Sequence, residues 1–285
     1  MTAAAPFLPG LDWPIKLAIA MPLLVVGFWL LKPRRQASWR LALAIFTIEI
    51  GTLIAIRGVV AINSASWWQY LLPFALVLVP GLFVAVVLTR LGWWRLAGFT
   101  PLREWRSPLT VIPLILSLAL PAAGLWAHRI MPISAMVLTL QVGFLLIGVS
   151  MEEIIYRGVI LEALRRYGLL WQIALSSMLF GLSHVDNLFL PGSDPVGVWY
   201  QIFEAILIGV LFASARLRMN TIWPVLVIHA VYDFMLVLAF GHALPVAPTL
   251  AGFIVDTLVN LCLAGIGLLL VFPRRRKAVG RQQAA

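Results

Sequence analysis

Three short groups of ionisable residues interrupt an otherwise apolar sequence. They are Glu152-Glu153 with Arg157, then His184 four residues after Phe180, then His229 and Asp233 four residues apart. Carboxylates and imidazoles can take a proton from water and return it to a leaving group near neutral pH. Charged groups at membrane depth are costly, so inside apolar helices they mark function by default. Together the three groups read as machinery for activating water within a bilayer.

Spacing suggests roles. Glu153 and Arg157 stand at i and i+4 with the acid N-terminal, which puts them on one helix face as an ion pair. Glu152 is offset by about 100° and points elsewhere. Arg157 therefore holds Glu153, and Glu152 is left to take a proton. His229 and Asp233 project to the same side of their helix, and Phe180 shares a face with His184. A glutamate beside a histidine is a water-activating pair. His229 with Asp233 would donate to, or orient a donor toward, an oxyanion formed on an attacked carbonyl. Ionised Asp233 cannot donate, so its role requires a proton on it or runs through His229.

The elements that must position these groups are helices. The pattern is helical from about Met131 to Arg166, and Tyr167-Gly168 is the first good stop before a new apolar run. A chain reversal there makes an antiparallel hairpin. Glu152 and His184 are equally far from Gly168 in sequence, about 24 Å each at 1.5 Å per residue, so their side chains can meet at one depth. Gly181 would let a neighbouring backbone approach. Asn187 to Gly197, with Pro191-Gly192 and Asp194-Pro195, is a breaker expected on the outer face.

Composition sets the class. Of the 285 residues 62% are hydrophobic and 11% charged, and the mean hydropathy is +1.00, which excludes an ordinary soluble domain. The expected fold is all-α, a polytopic integral membrane helical bundle of about eight to nine transmembrane helices. Apolar stretches near 14–31, 40–57, 69–89, 108–127, 133–157, 168–186, 198–215, 220–240 and 249–272 approach or reach the roughly 20 residues that a ~30 Å hydrocarbon core demands. The expected organisation is N-terminal transmembrane helices over 1–130, a catalytic core over 131–240, and a last helix with a basic tail over 241–285. The single cysteine, Cys262, cannot form an internal disulfide.

The net charge of +10 is a topology signal and not a nucleic-acid footprint, because Lys and Arg gather in alternate short loops. Lys32, Arg34, Arg35 and Arg40; Arg90, Arg95, Arg103 and Arg106; Arg157, Arg165 and Arg166; Arg216 and Arg218; and Arg274 to Arg281 fall on one side, leaving Lys16, Arg57 and Arg129 opposite. The N-terminus is expected outside and the C-terminus in the cytoplasm. Leu91 to Arg106, rich in Trp and Arg, suits an interfacial loop. Glu49, Glu204 and Asp256 are acids outside the motifs, expected to make structural hydrogen bonds, with Glu204 the one placed to line a cavity. His242 is expected in an outer loop.

The runs Met151-Glu152-Glu153-Ile154-Ile155-Tyr156-Arg157-Gly158, Ser177 to His184 and Trp223 to Asp233 resemble the CPBP family of intramembrane proteases. That family is also called Abi or CAAX-protease-like and includes the eukaryotic Ras-converting endopeptidase. The resemblance covers about 133–240. It implies a helical membrane fold with the site in a cavity between helices and endopeptidase activity. It maps the catalytic glutamate to Glu152, its partners to Glu153 and Arg157, and the two histidines to His184 and His229. Asp233 departs from it, since family members often carry Asn there. Tyr156, Phe180 and Glu204 are the substrate-cavity candidates. The implied partners are the lipid bilayer and a lipidated or membrane-associated peptide or protein, in a bacterial cytoplasmic membrane. No oligomeric state is specified.

Other readings stay open. No cofactor is favoured, but Glu152, His184 and His229 are a legitimate zinc set drawn from separate helices. Gly181-Leu182-Ser183-His184 lacks the second Gly of a serine-type intramembrane protease. His-Glu-x-x-His is absent, and Tyr232-Asp233 stands without Gly-x-Gly-Asp. A non-proteolytic binding, immunity or transport protein could use the same polar cavity, although no internal repeat is visible.

Overall fold

The computed structural model describes residues 13–31, 38–62, 68–128, 135–189, 193–240 and 247–272. Lys32, Arg34, Arg35, Arg129, Pro191-Gly192, His242 and the tail from Pro273, which carry expectations above, lie outside the described residues, as does the side chain of Arg57.

The chain is helical, with no strand among the described residues. The helices are α1 (Trp13–Leu30), α2 (Trp39–Ile62), α3 (Trp68–Leu91), α4 (Val111–Leu116), α5 (Ala119–His128), α6 (Ala135–Glu153), α7 (Leu161–Ala163), α8 (Leu169–Ser183), α9 (Pro195–Met219), α10 (Trp223–Phe240) and α11 (Leu250–Val271). A π-helical turn, Ile154–Ile160, joins α6 to α7, and a 3₁₀ turn, His184–Phe189, follows α8.

Trp13–Leu30, Trp39–Ile56, Pro195–Met219 and Leu250–Val271 are long and apolar enough to cross a membrane. Leu78–Leu91, Val111–Trp126 and Trp223–Ala239 are shorter apolar stretches. The span expected over 108–127 is two helices, α4 and α5, parted at Ser117-Leu118. Pro121 explains the break, because it has no N–H for the Ser117 carbonyl and its ring crowds that carbonyl. The Ser117 hydroxyl bends back to the Leu114 carbonyl at 2.6 Å.

The expected hairpin forms, with Gly168 at φ 91° closing a 3₁₀ turn over Arg165–Tyr167. Helix α9 packs between α8 and α11, α10 lies against α5 and α6, α3 against α6, and α1 along α2. The largest buried cluster joins α2, α3, α6, the π turn and α8 through Ile45, Val84, Leu88, Met151, Ile155 and Phe180.

Gly181 sets the crossing of α8 and α9. A Cβ there would stand 2.6 Å from the Ile202 carbonyl oxygen, a backbone atom that cannot step aside. Gly181→Ala is therefore expected to cost about 1–3 kcal/mol of overpacking, read as a lower thermal transition of the detergent-solubilised protein. A transition equal to wild type would show that this crossing is loose.

The Trp- and Arg-rich segment after α3 does more than lie at an interface. The Ile222 and Arg106 amides donate to the Gly98 and Met219 carbonyls at 2.9 and 2.8 Å. The Thr100 hydroxyl donates to the Asn220 carbonyl at 2.7 Å, and the Arg216 guanidinium donates to the Leu96 carbonyl. Gly98, at φ 96°, could carry no side chain, because a Cβ would meet the Ile222 nitrogen at 3.0 Å. Ala97 rests on Gly158 in the π turn. The segment thus straps the α9–α10 turn to the π turn, fixing α10 relative to α6.

Two arginines assigned to loops by charge counting are instead buried, Arg157 beside Glu153 and Arg216 under this strap. The strap's exposed pair is Arg95 with Glu104, at 2.6 Å.

Candidate active site

Glu152 and Glu153 end α6, and their consecutive positions send them different ways. Glu153 is fully buried, whereas the Glu152 side chain keeps 30% of its surface exposed. Arg157 Nη1 lies 3.2 Å from Glu153 Oε1. The same carboxylate oxygen accepts from His229 Nδ1 at 2.7 Å, a contact between α6 and α10 that spacing did not disclose. Because an ionised carboxylate only accepts, Nδ1 carries the hydrogen and the ring orientation is fixed.

His229 Nε2 then faces the other way, 3.8 Å from Glu152 Oε2 and 3.8 Å from Asp233 Oδ2. Asp233 remains 29% exposed. His184 caps α8 and its Nδ1 donates to the Phe180 carbonyl at 3.0 Å. In the neutral ring this leaves the lone pair on Nε2. The charges of His184, His229 and Asp233 all act on the Glu152 carboxylate.

Behind these groups Phe180 is a shared wall. Its ring meets His184, His229 and Tyr156 edge-on at 5.2, 5.8 and 5.4 Å, and the Arg157 guanidinium sits 3.8 Å above its face. A cation over an aromatic face is stabilised by the ring's quadrupole, which helps the bilayer interior hold Arg157.

The three cavity candidates are not open wall. Tyr156 and Phe180 are buried, and the Tyr156 hydroxyl donates to Glu49. Glu204, expected at the cavity, has both carboxylate oxygens engaged by α11, by Thr257 at 2.8 Å and Asn260 at 2.5 Å. Tyr200 donates to Asp256 at 2.5 Å beside them. These acids bind α9 to α11, the structural hydrogen bonding expected of both Glu204 and Asp256 from sequence. An apolar groove lies between α6 and α10, lined by Val142, Leu145, Leu226, Ala230, Val231 and Phe234 and by none of the polar cluster.

Residues 131–235 match the model of the family described as type II CAAX prenyl endopeptidase Rce1-like. That stretch is similar to an Rce1-like domain. All six residues of the polar cluster fall inside it. The match supports a peptidase of the CAAX type, and the apolar helices are in keeping with a membrane protein. No curated protein and no solved structure matches the chain.

Proposed function

We propose that the chain is an intramembrane endopeptidase in which Glu152 and His184 activate a water molecule to cut a peptide bond of a membrane-associated substrate. The observation carrying this reading is the division of the paired glutamates. Glu153 is consumed by Arg157 and His229, while Glu152 stays partly exposed with no closer ionic partner among the described residues than His229 Nε2 at 3.8 Å.

In the proposed reaction water gives a proton to the Glu152 carboxylate while its oxygen bonds to the scissile carbonyl carbon. His184 Nε2 accepts the water's other hydrogen bond and aims the lone pair. The carbonyl electrons move to oxygen, and His229, with hydrogen on both nitrogens, donates from Nε2 to that oxyanion. Asp233 orients His229. As the carbon–nitrogen bond breaks, Glu152 returns its proton to the leaving amine. The apolar groove beside α10 suits a substrate with a lipid or transmembrane portion.

In the same reading the remaining apolar helices complete eight or nine spans, the C-terminus is cytoplasmic and the host membrane is bacterial. Residues 1–130 and 241–285 then flank a catalytic core over 131–240. Catalysis proceeds without a bound metal, zinc on Glu152, His184 and His229 being the alternative.

The deciding experiment compares membrane-protein termini in cells carrying wild type or Glu152→Ala. Termini absent only from the variant identify cleavage and its substrate. Identical termini, with both proteins present at equal levels, favour the binding, immunity or transport reading. Treating the purified enzyme with a chelator should leave cleavage intact, and loss restored by Zn²⁺ would establish the zinc alternative.

A further inference from the structure

The π turn is held from two sides through one residue, Tyr156. Its hydroxyl donates to Glu49 Oε2 on α2, and its carbonyl accepts from Ser176 Oγ on α8 at 2.7 Å. One turn further, Gln172 Nε2 of α8 donates to the Leu161 carbonyl at 2.8 Å. A π turn takes carbonyls away from their i+4 donors, and in apolar surroundings freed carbonyls must find other donors. The Tyr156 carbonyl accepts from the Leu161 amide at i+5, Ser176 adds a second bond to it, and Gln172 supplies a donor to the Leu161 carbonyl.

Glu49 needs its own explanation. It is 2% exposed, its neighbours on α2 include the buried Ile45, Ile48 and Ile50, and its Oε1 has no hydrogen-bond partner among the described residues. An acid in such a place is costly and functional by default. Its partner Tyr156 packs edge-on against Phe180, the wall behind the polar cluster, which sets Glu49 behind that wall. Tyr156, which it holds, is the residue one turn beyond Glu152 and the neighbour of Arg157.

We propose that Glu49 is a positioning residue for Glu152: through the Tyr156 hydroxyl it pins the π turn, and the pinned turn holds the end of α6 so that Glu152 faces the polar cluster. Without that pin the turn relaxes to an α-helix. One residue of register is then lost across the turn, about 100° of rotation, between the end of α6 that carries the paired glutamates and α7. The inference rests on the proteolytic reading only for what Glu152 is presented to.

The test uses the full chain with Cys262→Ala and Glu152→Cys in detergent, and measures the rate at which a charged methanethiosulfonate reagent modifies the new thiol. Thiol reactivity follows exposure. Glu49→Leu and Tyr156→Phe should each slow modification about tenfold. Glu49→Gln, whose amide oxygen still accepts from Tyr156, should restore the rate to within about twofold. An unchanged rate in Glu49→Leu or Tyr156→Phe would overturn the inference. Tyr156→Phe removes only a hydroxyl and decides the matter if Glu49→Leu fails to fold.

With Glu152 restored, the same variants should lower kcat on a farnesylated peptide and leave KM unchanged. Failure of the wild type to cleave that peptide counts against the substrate reading, while the labelling rates still decide the role of Glu49.

Discussion

Glu152→Gln should lower turnover by about 10²–10⁴-fold, the usual contribution of a general acid–base group, and leave the thermal transition nearly where it was. Gln keeps the shape and removes only the ability to take a proton. The native carboxylate is partly exposed and its nearest ionic contact among the described residues is His229 Nε2 at 3.8 Å, so folding does not lean on its charge. The neighbouring Glu153→Gln is the control, because there the lost charge faces Arg157 and His229 in a buried setting. Cleavage rates in proteoliposomes and unfolding in detergent separate the two. Turnover by Glu152→Gln within tenfold of wild type would remove Glu152 from the reaction, and a large thermal loss would recast it as structural.

What the sequence disclosed and what it hid follow from the range of each interaction. The contact of Glu153 with Arg157 lies within one helical turn, and the i, i+4 rule reports it directly. The separation of Glu152 from Glu153 follows from the same helical period. The reversal at Gly168 was legible because glycine alone adopts its φ of 91° without strain, and the close approach at Gly181 because no side chain stands there.

The contacts that join helices were not legible. His229 reaches Glu153 across 76 residues and Tyr156 reaches Glu49 across 107, and no period connects such pairs. Glu49 carried one signal, a lone acid in an apolar helix, and that signal does not name a partner. The π turn was hidden because an inserted residue changes helical phase without changing composition. Pro121 did announce the break at Ser117, but an apolar run reads through a proline when hydropathy is averaged over a window. The partners of Glu204 were hidden for a related reason, since a helix offers several faces and only packing chooses among them.

Replacing Arg157 by Met should destabilise the protein by about 3–5 kcal/mol, the cost of stripping one partner from a buried ion pair. Glu153, with no exposed surface, would be left with His229 as its only close charged partner among the described residues, where its second oxygen already lacks a hydrogen bond. The face of Phe180, now 3.8 Å beneath the guanidinium, would lose its cation as well. If the penalty comes from the abandoned charge, removing that charge should relieve it. The double variant Glu153→Gln with Arg157→Met should therefore regain more than half of the lost stability, as uncharged replacements of buried pairs commonly do. The Gln oxygen can still accept from His229 Nδ1, so imidazole orientation and part of the cleavage rate should return with stability. Thermal unfolding of the two variants beside their cleavage rates tests this. A single Arg157→Met as stable as wild type would mean that the arginine neutralises nothing, and recovery of stability without any recovery of rate would mean that Arg157 serves the reaction directly.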